Sequence, residues 1–97
     1  MEYTEREQAL LNDTDVAAHI KRENEAVAKR AKEEGWTSWW TVSPDIAKNY
    51  SNVYEYEFEM ACETYSDMYK EKRGFRPRRD FSDKTLAYVE ALIELGW

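Results

Sequence analysis

The chain has one cysteine, one histidine, three glycines and two prolines in 97 residues, and each shortage closes off a class of chemistry or architecture. Cys62 cannot form an intramolecular disulfide, and the lone His19 does not make a zinc site with it at any usual ligand spacing. A disulfide-stapled module is therefore not expected, and a reducing, cytoplasmic setting is. No apolar run approaches the roughly 18 residues of a membrane span. The first eleven residues carry charges at positions 2, 5, 6 and 7, so no signal peptide is expected either. No phosphate-cradling glycine loop, metal-ligand cluster or Ser/His/Asp set is visible. The expectation is a non-enzymatic protein with no cofactor, no metal and no membrane partner.

Basic residues are also in short supply, with 14 Lys and Arg against 20 Asp and Glu for a formal net charge of -6. Neutralising phosphates needs a basic surplus, so no direct nucleic-acid partner is expected. The length allows one compact core and excludes a barrel or a doubly wound nucleotide-binding fold. What the chain does have is aromatic residues, at 14% of the total, which supply surface to bury despite a mean hydropathy of -0.89. A disordered tail does not carry such a content.

The three glycines each close a charged or apolar-periodic run, as helix C-terminal caps do, which predicts an all-α fold. The expected architecture is a single domain over 1–97, a small bundle of four to five helices with a Trp-rich connector. Thr4 and Glu7 have capping-box spacing for a first helix ending near Leu11. A second helix runs from Asp15 to Glu34 with Val16, Ile20, Val27, Ala28 and Ala31 on one face. Trp36 to Val42 reads as the connector, its three tryptophans plugging the core. Ser43-Pro44-Asp45 starts a short third helix, and Asn52 with Glu55 opens the longest one, which reaches Arg73. Ser82 is expected to cap a last helix that buries Leu86, Val89, Leu92 and Ile93 and ends at Gly96-Trp97. The stretch Tyr54 to Glu59 alternates like a strand. Over a longer window, however, Tyr54, Phe58, Ala61, Cys62, Tyr65, Met68 and Tyr69 fall in one helical arc, which favours helix.

Within that long helix Glu55, Glu59, Glu63, Asp67 and Glu71 recur every four residues on the face opposite the arc. Like charges so spaced oppose helix formation, by about 1–2 kcal/mol for four pairs. Successive carboxylates lie about 6 Å apart by helix rise, near the separation of phosphates along a nucleic-acid strand. The row reads either as a solvated face or as a docking surface for a basic protein. A metal is poorly served by ligands in line. Tyr56 and Met60 lie among these acids, where exposed they would be interface anchors, and where covered they would meet another helix or a second copy.

Charge is polarised along the chain. Positions 45–69 hold six acids and Lys48 alone, and positions 70–84 hold seven bases and three acids. Pro77 fixes a loop in which Arg76, Arg78 and Arg79 either pair with the chain's own acids or bind an acidic ligand. Cys62, at the edge of the arc, reads as a small core residue.

The run Tyr65-Ser66-Asp67-Met68-Tyr69-Lys70-Glu71-Lys72-Arg73-Gly74-Phe75-Arg76-Pro77-Arg78 resembles a segment of small uncharacterised proteins of tailed bacteriophages. The resemblance implies a phage origin and, with the acidity, an inhibitor of the anti-CRISPR or anti-restriction type, acting in the host cytoplasm by partial DNA mimicry. The basic loop departs from a pure mimic. The partner this implies is a host protein with a basic, nucleic-acid-binding surface, met by Glu55, Tyr56, Glu59, Met60, Glu63, Asp67 and Glu71. Arg76, Arg78 and Arg79 form a secondary loop. A self-associating assembly protein, joining the acidic helix of one copy to the Arg loop of another, is the alternative, and a nucleic-acid binder using the Arg loop is a further one.

Overall fold

Side-chain caps set the helix starts. Thr4 opens α1 (Glu5–Asn12) reciprocally, its Oγ1 accepting from the Glu7 N–H at 3.1 Å while Glu7 Oε1 accepts from the Thr4 N–H at 2.9 Å. Asp15 caps α2 (Val16–Glu34), and Gly35 closes it at φ 73°, a left-handed conformation that a side chain resists. Ser43 and Pro44 start a helix at Pro44–Asn49, wound as a 3₁₀ helix. Asn52 accepts from the Glu55 N–H at 2.9 Å to open α3 (Val53–Arg73). The alternating Tyr54 to Glu59 stretch is thus helical.

α4 (Leu86–Glu94) is capped by Thr85 and not by Ser82. The chain turns once more before it, with the Lys84 N–H donating to the Phe81 carbonyl at 2.9 Å. The computed structural model describes residues 2–77 and 81–96, which form a small all-helical bundle with no strand among them. Arg78, Arg79 and Trp97 lie outside the described residues. No helix among the described residues is long and apolar enough to cross a membrane.

α3 is the spine, and it buries two stripes. One cluster joins Val16 and Ile20 of α2 to Val53 and Tyr56 of α3, with Leu10, Val42, Ile46, Ala47, Tyr50 and Met60 around it. The other joins Tyr65, Phe81 and Val89, with Phe58, Ala61, Cys62, Tyr69, Leu92 and Ile93 around it. The second cluster is the predicted arc of α3 against the predicted face of α4. Ala31 of α2 is also buried, and Val27 and Ala28 are half-buried.

The connector between α2 and the 3₁₀ helix is present, but its tryptophans do not plug the core. Trp36 and Trp39 are over 40% exposed and Trp40 is 93% exposed. The reason is a clip at the connector's far end. The Asn24 side chain donates to the Val42 carbonyl at 2.7 Å and accepts from the Val42 N–H at 3.0 Å. This returns the chain to the middle of α2 and leaves residues 36–41 as an arch outside the packing. Arg30 covers one ring, its guanidinium 5.7 Å from the Trp36 centroid.

Candidate functional site

All five carboxylates of the α3 row, Glu55, Glu59, Glu63, Asp67 and Glu71, are exposed. At four-residue spacing the row turns about 40° per step around the helix. Its first members lie beside the apolar arc, and its last members reach the angular sector that Tyr56 and Met60 occupy nearer the N-terminus of α3. That sector is covered by α2 and the 3₁₀ helix over the first turns only. Farther along α3, acids take the place of apolar residues there, and among the described residues Arg76 reaches back to Asp67.

Three members of the row have partners within the chain. Glu55 Oε1 accepts from the Ser51 N–H at 2.8 Å, Glu59 accepts from the Tyr50 hydroxyl, and Asp67 pairs with Arg76 at 2.9 Å. Among the described residues Glu63 and Glu71 take no hydrogen bond or ion pair. Glu59, Glu63 and Asp67 border a surface depression shared with Cys62, Ser66 and Arg76. Burial, with help from Glu59, pushes the Cys62 thiol pKa up and keeps it protonated.

Tyr56 departs from its expected role. It is 2% exposed, its ring stacked edge-on to Tyr50 at 5.5 Å and to His19 at 5.8 Å, so it is a core residue and not an interface anchor. Met60 is half-buried against the same cluster. Of the open alternatives, coverage by a neighbouring helix is the one realised, because α2 crosses the first turns of α3. In the Arg loop, Arg76 Nη1 donates to Asp67 and to Ser66 Oγ, both at 2.9 Å, which folds the loop back on its own helix. Arg78 and Arg79 lie outside the described residues.

Two arrangements were not legible in the sequence. Glu7 is 1% exposed, and beyond its capping role its Oε2 accepts from the Ala87 N–H at 3.0 Å at the start of α4. The Tyr54 hydroxyl accepts from the neighbouring Leu86 N–H at 3.0 Å, and Thr85 Oγ1 accepts from the Tyr88 N–H. Three first-turn N–H groups of α4 are thereby satisfied from α1, α3 and the cap. Burial alone would raise the Glu7 pKa, but the N–H donors of Thr4 and Ala87 more than offset it and hold the acid below its usual value.

The other arrangement centres on His19. Its Nε2 lies 2.5 Å from Glu57 Oε1 on α3 and 2.9 Å from Glu23 Oε1 one turn along α2. Burial, and then the Glu57 carboxylate beside it, push the Glu23 pKa up to about 7 against the opposing pull of His19. The four-residue spacing of His19 and Glu23 was a readable signal. The arrival of Glu57 was not, since it depends on how α2 crosses α3.

Comparison of the chain with protein-family models, with curated proteins and with solved structures returned no match.

Proposed function

We propose that the chain is a non-enzymatic binding protein whose α3 carboxylate row docks on a basic, nucleic-acid-binding surface of another protein. The observation that carries this reading is the row itself: five exposed carboxylates on one helix, spaced like backbone phosphates, with Glu63 and Glu71 unengaged among the described residues. A helix that carries four like-charged i,i+4 pairs forgoes about 1–2 kcal/mol, which a merely solvated face has no reason to forgo. Since Tyr56 is buried, the exposed aromatic side chains open to a partner include Trp39 and Trp40. The phage-like segment at 65–78 makes an inhibitor of a host anti-phage nuclease, of the CRISPR or restriction type, the instance to test first.

The test is to titrate the chain into DNA-cleavage reactions of such nucleases, beside a Glu63→Lys, Glu71→Lys double variant. These positions are chosen because their reversal leaves the bonds of Glu55, Glu59 and Asp67 intact. Inhibition by the unmodified chain, lost in the variant while the far-UV helical signal persists, is the expected result. Equal inhibition by both proteins would remove the row from the mechanism. Self-association draws less support, since Arg76 is already paired within its own chain. Sedimentation at low salt separates the two readings, because the assembly reading requires more than a monomer there.

A further inference from the structure

We propose that His19, Glu23 and Glu57 form a site for a divalent transition ion of the zinc class, bound through one imidazole nitrogen and two carboxylates, with its remaining positions open to water. This goes beyond the docking function and shares no residue with the α3 row.

The donor atoms converge. One donor atom from each residue lies within 4.8 Å of the other two, and the three come from two different helices. A tetrahedral ion with bonds of about 2.1 Å holds its donors about 3.4 Å apart. His19 Nε2 lies 2.5 Å and 2.9 Å from the two carboxylates. Receiving the ion thus asks the side chains to part by less than about 1 Å. The α3 row fails the same test, because its carboxylates run in line along one helix.

The three side chains do not satisfy one another. A single ring nitrogen faces two carboxylates, and one N–H cannot serve both. Two like charges are also held together in a place partly closed to water, where only a shared proton or a cation relieves them. A dication balances both carboxylates and takes the imidazole lone pair as well. Arg6, whose charge also reaches Glu57, is ion-paired with Glu90 at 2.6 Å and makes no ion pair with Glu23 or Glu57 among the described residues.

The site is closed on one side and open on the other. His19 and Glu57 are mostly buried, with side chains 17% and 21% exposed, whereas Glu23 is 45% exposed. The imidazole is held against the Val16, Ile20, Val53 and Tyr56 cluster, with the Tyr56 ring edge-on to it. The Glu23 side is the entrance. An imidazole in the donor set selects against magnesium and calcium and favours zinc, cobalt, nickel or copper.

The experiment is titration of the full chain with zinc chloride, read by calorimetry and by NMR of the imidazole ring. Because His19 is the only histidine, its ring signals need no variant for assignment. The expected result is one zinc per chain, movement of the His19 ring signals in step with binding, and a melting temperature about 10 °C higher at a hundredfold excess over the dissociation constant. His19→Gln and Glu57→Gln should each weaken binding by at least about tenfold, and Glu63→Gln with Glu71→Gln should leave it unchanged. Absence of zinc binding, or binding that leaves the His19 signals in place, overturns the proposal. If either ligand variant fails to fold by circular dichroism, the ring titration of the unmodified chain decides alone.

Discussion

Tyr56 and Trp40 are both large aromatic side chains, and their surroundings give them opposite weights. Tyr56 is enclosed by α2, the 3₁₀ helix and Tyr50, so Tyr56→Ala opens a cavity and should cost about 3–5 kcal/mol in a urea titration. That is a large part of the total stability of a domain this size, about 5–15 kcal/mol. Trp40 stands 93% exposed, and Trp40→Ala should change stability by less than about 0.5 kcal/mol in the same measurement. Glu7 supplies the pH dependence. Its folded pKa is lowered, so the stability it adds is fully present above the unfolded carboxylate pKa and is lost as pH falls through the folded value. Glu23, with its pKa raised to about 7, works the other way as it takes up its proton just below neutral pH. The drop in melting temperature due to Glu7 should therefore appear at lower pH, below the unfolded carboxylate pKa. Glu7→Gln should flatten that drop while lowering the neutral-pH value, since its amide cannot accept from both Thr4 and Ala87 as strongly as a carboxylate does.

On α3 the like-charge row makes a prediction that separates stability from binding. Glu63 lies four residues from both Glu59 and Asp67, so Glu63→Lys turns two repulsive pairs into attractive ones. It should raise helix stability by a few tenths to about 1 kcal/mol by thermal melts at low salt, and high salt should erase most of the gain. A variant that is more stable yet binds less well is the signature of a face kept acidic for a partner. The helices themselves were legible because caps are local: Thr4, Asp15, Ser43 and Asn52 each act on an N–H two or three residues away. The Ser82 cap failed because two candidate hydroxyls compete within four residues, and the turn from Phe81 to Lys84 decides between them. Tyr56 was misplaced because periodicity along one helix finds one apolar face. It does not show that two neighbours cover two different stretches of the same helix. The tryptophans misled for a related reason: composition says that they are apolar, and only the Asn24 clip to Val42 says that their loop stands outside.

Taken whole, the molecule is flattened, with principal extents of 36 × 35 × 23 Å and a radius of gyration of 14.7 Å. A compact chain of this length has a radius near about 12.5 Å. Its accessible surface of 7159 Å² likewise exceeds the roughly 5,800 Å² usual for the mass. Two small clusters strung along one helix, in place of one central core, account for both excesses. Because α3 runs unbroken through both clusters, unfolding should still be one event: far-UV and near-UV circular dichroism should give coincident melting curves. Curves that separate would mean that the clusters melt independently. The Glu7 contact bears on assembly as well as on stability. It joins groups 80 residues apart in sequence, so the first turn of α4 gains its carboxylate acceptor only after the intervening residues have been made and folded back on α1. Closing so wide a loop is slow compared with forming either helix, so α4 should consolidate last. The carboxylate thus registers that the two ends of the bundle have met. A nascent chain that has not yet made α4 leaves that carboxylate open to water with one of its partners still missing, and until the two meet that region stays open to chaperones and proteases.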